Sequence, residues 1–236
     1  MMRIRLATGR RAMFLAMFAI AVVALLPMRL ALGWAGLDAQ GFSAREVRGS
    51  LWSGRLVEAR FGDIALGDLR AGVSPLALLI GRARIALSAP GDGLSGVVEI
   101  GRRRAAILNA TGPLSPGSAF APLPVTALDL DDVSVRFVDG ACEGAEGRVR
   151  ASLSGSWQGQ PLPAALSGAA RCDAGALLLP LSNGAGEGAA LRLWPDGRYR
   201  AELTLVPTDP LIAGRLDAGG FVANGAARTL AVEGRF

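Results

Sequence analysis

The sequence predicts a mostly β protein, in which a single N-terminal transmembrane helix is followed by a curved antiparallel β-sheet or half-barrel. Three observations support this fold class. One uncharged apolar run, residues 12–28, lies near the start of the chain. Beyond it, apolar and polar residues alternate in short segments, which is the period of strands with one buried face. The 236 residues include 32 Gly and 13 Pro, so helices longer than three turns are not expected after the first forty residues.

The N-terminal segment has the pattern of a membrane anchor. The run Ala12–Met28 would form a helix of about 26 Å, and Leu30–Leu32 would extend it toward the ~30 Å of a hydrocarbon core. Arginines before the run predict a cytoplasmic N-terminus. We therefore expect a basic cytoplasmic flank over residues 1–11, an anchor over 12–32 and an exported domain over 33–236. The flanking arginines are Arg3, Arg5, Arg10 and Arg11.

A cleaved signal peptide is the alternative interpretation of this segment, with Ala31–Gly33 as a small-residue cleavage site. The apolar run is longer than in most signal peptides, and Arg29 interrupts the region before the cleavage site. These two features favour a retained anchor. Both interpretations export the rest of the chain.

The exported part is expected to consist of antiparallel strands. The clearest alternation runs from Arg148 to Trp157, where apolar side chains occupy every second position. Pro75–Ile80 is the one segment with the pattern of a helical turn. The proline-rich segment 112–124 divides the exported part, either as a linker or as a long loop over one continuous sheet, and the continuous sheet is preferred because neither half has many strands. Further alternating segments are residues 57–61, 82–88, 133–137, 198–205 and 229–236.

Cys142 and Cys172 are the two cysteines of the chain. In an exported domain they fit a disulfide, which would close a loop of about thirty residues and stabilise the fold by roughly 3–4 kcal/mol. Two buried thiols are the alternative.

The composition excludes several classes of chemistry. The chain has no His and no Lys, so common general bases, Schiff-base residues and phosphate-loop lysines are missing. Asp129, Asp131 and Asp132 could suggest a calcium site, but alternation with Leu128 and Leu130 places Asp129 and Asp131 on the polar side of a predicted strand, and no closing Glu follows at the distance of a calcium loop. We expect no catalytic residues, no cofactor and no metal site.

The net charge of +5 does not indicate nucleic-acid binding. Four of the positive charges belong to the N-terminal flank, so the exported part is close to neutral. The run Arg102–Arg104 is expected to form a solvated turn, and contact with lipid phosphates or an acidic partner is the alternative.

The stretch GSLWSG, residues 49–54, marks the entry to the first clear strand. An anchor, a spacer and this entry, with Gly49, Leu51, Trp52, Ser53 and Gly54, resemble the N subunit of bacterial type II secretion systems, general secretion pathway protein N. The stretch Ala71–Leu87 looks like the second block of that family, and Cys172–Gly175 is compatible with its later region.

The resemblance implies a non-enzymatic accessory subunit of the type II secretion machinery. It would be a single-pass inner-membrane protein with a cytoplasmic N-terminus and a periplasmic C-terminal domain. Its expected partners are other secretion subunits and the inner membrane, with lipid as a further candidate and no nucleic acid. The five motif residues would be structural or form a docking surface. The alternative function is an AsmA-like lipid-binding or lipid-transfer module with an apolar β groove.

Overall fold

The computed structural model describes residues 10–34, 36, 41–121 and 123–235. Most of the expected basic flank, including Arg3 and Arg5, lies outside the described residues. The helices are α1 (Arg10–Ala24), α2 (Met28–Trp34), α3 (Pro75–Leu79) and α4 (Pro210–Ala218). The strands are β1 (Phe42–Ser43), β2 (Glu46–Ser50), β3 (Ser53–Phe61), β4 (Ile64–Val73), β5 (Ala83–Ser88), β6 (Ser95–Ile100), β7 (Arg104–Leu114), β8 (Val125–Val138), β9 (Ala141–Leu153), β10 (Ser156–Trp157), β11 (Gln160–Pro161), β12 (Ala165–Ala169), β13 (Arg171–Asp173), β14 (Ala176–Ser182), β15 (Gly188–Leu193), β16 (Arg198–Leu205), β17 (Val222–Asn224) and β18 (Ala227–Arg235).

The N-terminal apolar segment forms two helices where one was expected. The helix α1 ends at Ala24, and α2 starts at Met28 directly after Pro27. Proline has no amide hydrogen to continue the hydrogen bonds of α1, and Pro27 instead forms an isolated β-bridge with Ser50. The single helix predicted over residues 12–32 is therefore not found. Within the ranges given above, no helix is both long enough and apolar enough to cross a membrane.

One large antiparallel sheet makes up most of the molecule. Its strands follow the order β1-β3-β4-β5-β6-β7-β8-β9-β12-β14-β15-β16-β18-β17, while β2 also pairs with β3 and β13 with β14. The edges are β1 with β2 on one side and β17 on the other, and the sheet is not closed. The prediction of a mostly β, antiparallel domain is confirmed. The helical turn predicted over Pro75–Ile80 is α3.

The meander gives the sheet two distinct ends. The turn at Leu51–Trp52, the α3 connection and the turns at 101–103, 139–140 and 194–197 all lie at one end, here called the helix end. The opposite end, here called the loop end, carries the longer connections 115–124, 154–164 and 206–226. Between the central strands β8 and β9, the turn residues Asp139 and Gly140 both have positive φ, 52° and 82°. This two-residue turn closes the long β8–β9 hairpin.

The larger of the two cores lies under the C-terminal strands. It is built mainly from leucines of β9, β12, β14, β15 and β16, with Leu203 fully buried. The loop 116–123 adds Phe120, whose ring meets that of Tyr199 edge-on at 5.9 Å between centroids. Helix α4 starts at Pro210, with the Asp209 carboxylate accepting a hydrogen bond from the Leu211 N–H, and buries Leu216. Segment 112–124 thus continues from β7 into a loop whose side chains enter this core.

A smaller core lies under the N-terminal strands. Its buried residues are Met28 of α2, Leu56 and Ala59 of β3, and Leu69 and Ala71 of β4. Helix α2 covers this part of the sheet. Its Met28 is buried in the core, and Leu32 packs against it. Packing of α2 therefore ties the N-terminal segment to the first hairpin.

The structure joins Cys142 and Cys172 in a disulfide, with 5.5 Å between the two Cα atoms. Cys142 lies at the start of β9 and Cys172 in β13. The Cys142 N–H also donates to the Gly175 carbonyl oxygen at 2.8 Å. The bond links two strands that the sheet order does not place side by side.

Candidate functional site

The motif 49–54 forms the tight turn between β2 and β3. Gly49 lies opposite Gly54, and Ser50 opposite Ser53. Gly49 has φ +88°, and a Cβ there would lie 2.5 Å from the Ser53 carbonyl oxygen. Only glycine fits this position without strain.

Trp52 joins this turn to the end of α1. Its indole N–H lies 3.1 Å from the carbonyl oxygens of both Val23 and Ala24. The Leu51 N–H donates to the Leu26 carbonyl oxygen at 2.9 Å. The last carbonyl groups of a helix have no partner within the helix, so the turn supplies donors that α1 itself lacks.

Two further glycines let the backbone approach this junction. A Cβ on Gly54 would lie 1.9 Å from the Met28 sulfur, and one on Gly72 would lie 2.6 Å from the Trp52 carbonyl oxygen. The Val73 N–H donates to the Leu51 carbonyl oxygen at 3.0 Å. We call this junction the Trp52 clasp. It consists of residues 23–28, 50–54 and 72–73.

The clasp explains the motif as a structural device. Leu51 and Trp52 hold α1, Gly54 makes room for α2, and Gly49 shapes the turn that presents them. Sequence reasoning singled out these residues but missed Val23, Ala24 and Met28, which lay inside the expected anchor. The proline at position 27, a break in an otherwise apolar helix, is the signal that could have revealed the junction.

Helix α1 extends from the clasp with apolar side chains on every side. Most of them are strongly exposed, for example Phe14 at 77% and Leu15 at 68%. A helix that is apolar all round belongs in a protein core or in a membrane. At positions 12–18 and 21–24, where the structure describes the side chains of α1, none is buried, so this surface requires another environment. The other exposed apolar residues of α1 are Met13, Met17, Phe18, Val22 and Val23.

The three aspartates on β8 do not converge on one point. Asp129 lies opposite Arg150 and Asp131 opposite Arg148 in the register of β8 and β9. Asp132 has φ +51° at a bulge, where its carboxylate accepts a hydrogen bond from the Asn109 amide at 2.8 Å. Within the described part of the chain, no group of three or more potential ligands is placed to hold a metal ion.

Three surface cavities of about 490–540 Å³ lie on the sheet. One is bordered by Asp129, Asp131, Arg148 and Arg150. The second lies at the helix end, and five arginines are among the residues that border it. The third is lined by Arg150 together with small polar and apolar residues.

Comparison with known proteins identifies the family. The family described as type II secretion system (T2SS), protein N, matches residues 40–229, well over half of the chain. The chain belongs to the T2SS protein N family. No match is found among curated proteins or among solved structures.

The T2SS protein N match begins after α1 and α2 and covers the sheet as far as the start of β18. It includes the whole turn 49–54 and both cysteines. The family therefore confirms the resemblance and implies an accessory subunit of type II secretion. The AsmA-like alternative gains no support from these comparisons.

Proposed function

We propose that this chain is a non-enzymatic inner-membrane subunit of the type II secretion machinery, with its sheet in the periplasm and contacting other secretion subunits. The observation that carries the proposal is the family match over most of the sheet, residues 40–229. In this function α1 contacts the membrane, and the Trp52 clasp transmits that attachment to the sheet.

Three features support the proposed location. The exposed apolar surface of α1 fits a lipid environment, and arginines precede it in the sequence. The Cys142–Cys172 disulfide fits an oxidising compartment such as the periplasm. A cytoplasmic sheet would expose this bond to reducing conditions.

The clasp supports the proposed role as a scaffold. Hydrogen bonds from Trp52 and Leu51 fix the end of α1, and the contact of Met28 with Gly54 fixes α2. A subunit that presents a periplasmic surface at a set distance from the membrane needs such a specific connection. The Trp52 indole N–H and the Leu51 N–H both donate to backbone carbonyl oxygens.

A complementation experiment tests the secretion role. A strain lacking this protein should retain type II substrates inside the cell, and the wild-type chain should restore their release. Trp52→Ala should restore release poorly, because the clasp is broken. Trp194→Ala is the matched control, since Trp194 is also half-buried but lies outside the clasp, and it should restore release fully. Normal secretion in the deletion strain would refute the proposal.

Cysteine labelling tests the location. Both native cysteines are in the disulfide and the chain has no free thiol, so Ala185→Cys on the exposed β14–β15 turn would be the one reactive site. We expect a membrane-impermeant maleimide to label it once the outer membrane is permeabilised. Labelling that requires lysis of the inner membrane would place the sheet in the cytoplasm and overturn the proposal.

A further inference from the structure

A dense group of arginines lies at the helix end of the sheet, beside α3. The chain brings them together from the α3–β5 connection, the β6–β7 turn and the middle strands. The cavity there, about 490 Å³, is bordered by five arginines and a single carboxylate. These residues, here called the arginine cluster, are Arg82, Arg102, Arg103, Arg104 and Arg136, with Glu99 as the carboxylate.

Strand register places Glu99 and Arg136 of the cluster on one face, together with Arg84. Glu99 lies opposite Arg84 in β5 and opposite Ala106 in β7. Ala106 in turn lies opposite Arg136 in β8. Side chains directly opposite each other project from the same face of a sheet. The sheet therefore assembles positive charge that is scattered over more than fifty positions of the sequence.

Most of this charge is not neutralised within the protein. Arg84 pairs with Glu99 at 3.4 Å, and Arg103 pairs with Asp139. Among the residues that the structure describes, Arg82, Arg102, Arg104 and Arg136 form no ion pair. Four like charges side by side repel one another, so an anionic ligand at this surface would relieve the repulsion.

An exposed apolar tip borders the cluster. Helix α3 has no buried residue, and Leu76, Leu79 and Ile80 are 74%, 83% and 70% exposed. Ile80 also lines the arginine-rich cavity. An apolar tip next to cationic side chains is the composition of a surface that lies in the headgroup region of an anionic bilayer.

The position of this surface in the fold also favours contact with a membrane. The last residue of β4, Val73, belongs to the clasp, where its N–H donates to the Leu51 carbonyl oxygen. Helix α3 begins two residues later, at Pro75. The arginine cluster and α3 thus lie at the end of the sheet that holds α1. If α1 contacts the membrane, as proposed above, the helix end is the part of the sheet that faces the bilayer.

We propose that α3 and the arginine cluster bind the surface of an anionic lipid bilayer. The free guanidinium groups of Arg82, Arg102, Arg104 and Arg136 bind lipid phosphates, for which their planar donor geometry is suited. Leu76, Leu79 and Ile80 enter the interface beside them. This second attachment rests on the proposed membrane contact of α1, and it orients the sheet where one helix alone would leave it free to tilt.

The test uses the full chain reconstituted into phosphatidylcholine vesicles with or without phosphatidylglycerol. A fluorophore on Leu79→Cys, the sole reactive thiol, reports contact through quenching by spin-labelled lipid. We expect quenching in the vesicles that contain phosphatidylglycerol and much less in phosphatidylcholine alone. A label on Ala185→Cys, at the loop end, should stay unquenched.

Arginine variants test the basis of the contact. Each arginine near an anionic surface strengthens attachment about fivefold, so Arg102→Gln with Arg104→Gln should lower the ratio of docked to undocked α3 roughly 25-fold. Arg60→Gln with Arg150→Gln removes the same charge from exposed strand positions away from the helix end and is the matched control. It should leave the quenching unchanged. Equal quenching in both lipid compositions, or no effect of the Arg102 and Arg104 changes, would overturn the proposal.

A label on Leu15→Cys separates failure of this inference from failure of the anchor. Quenching at position 15 without quenching at position 79 would overturn the bilayer contact of α3 and leave α1 in the membrane. Absence of quenching at both positions would overturn the two proposals together. Crosslinking of position 79 in native membranes to a protein, with no lipid contact, would overturn the lipid proposal and indicate an acidic protein partner.

Discussion

The N-terminal and C-terminal parts of the sheet are built from the same alternating strands but stabilised differently. The C-terminal strands share a large leucine-rich core, closed by α4 and the loop 116–123 and crosslinked by the disulfide. The N-terminal strands share a small core that depends on α2. Between them, β5 and β6 contain no fully buried residue.

This difference shows which part of the molecule is a rigid body and which part is a junction. The C-terminal core would persist without any helix from the N-terminal segment. The N-terminal hairpin, in contrast, obtains its cover from Met28 and its fixed geometry from the Trp52 clasp. Regions with few buried apolar contacts open at lower free energy than the main core. The junction with α1, and α3 with its exposed apolar tip, therefore lie in the less stable part.

A matched pair of cavity mutations should give the largest effects and measure the difference between the cores. Leu203 and Leu69 are both almost completely buried, one in each core. We expect Leu203→Ala to lower the free energy of unfolding by about 4 kcal/mol and Leu69→Ala by about 2–3 kcal/mol, because a small core at the edge of the sheet relaxes more easily. Urea unfolding of the two variants checks this. A larger loss for Leu69→Ala would contradict the comparison.

Removal of the disulfide should come next in size. Cys142→Ser with Cys172→Ser should lower the free energy of unfolding by about 3–4 kcal/mol, since the unfolded chain regains the freedom of a thirty-residue loop. Amide exchange should increase in β9 and β14 and remain unchanged in β3 and β4. The wild-type chain under reducing conditions is the control and should lose the same stability. Increased amide exchange confined to β3 and β4 would show that the disulfide does not stabilise the C-terminal core separately from the N-terminal hairpin.

Gly54→Ala should destabilise the clasp by about 1–3 kcal/mol, because the new methyl group would overlap the Met28 sulfur. Met28→Ala in the same chain should recover part of this loss, and a double-mutant cycle by urea unfolding measures the coupling. Gly144→Ala is the control, since nothing lies within 4 Å of a Cβ at that position, and it should change stability by less than about 0.5 kcal/mol. Additive effects at positions 28 and 54 would rule out the contact.

Trp52→Phe should have the smallest effect on global stability, about 1 kcal/mol, because it removes one donor and keeps most of the aromatic surface. The local effect should be clearer. Amide exchange at Leu51 and Val73 should become faster, while exchange in β16 should not change. Trp194→Phe should leave exchange at both clasp positions as in the wild type. If Trp52→Phe also has no effect there, the indole hydrogen bonds do not hold the junction.

The sequence predicted the strands well where one face is apolar and the other polar. Such a pattern reports burial directly, since a shift of one residue would expose every apolar side chain. Prediction was poorer where the backbone changes direction. Alternation continues from Arg148 to Trp157, yet β9 ends at Leu153 and the chain turns at Gly155, with φ +89°. Trp157 then packs against Phe221, far away in the sequence.

The candidate site was found only in part. The glycines and tryptophan of residues 49–54 stood out because such residues are rarely placed together without a geometric reason. Their partners, Val23, Ala24 and Met28, could not be identified, because apolar residues in a run look alike until the chain folds. The arginine cluster was represented only by Arg102–Arg104.

By itself, the sequence determined the mostly β architecture, the family resemblance and the pair of cysteines. Each of these depends on local pattern or on residue type. Tertiary structure alone decided how α1 and α2 contact the first hairpin, which atoms Trp52 bonds, and that Arg82 and Arg136 lie beside Arg102–Arg104. These features arise from contacts between residues distant along the chain, and only the register of neighbouring strands fixes such contacts.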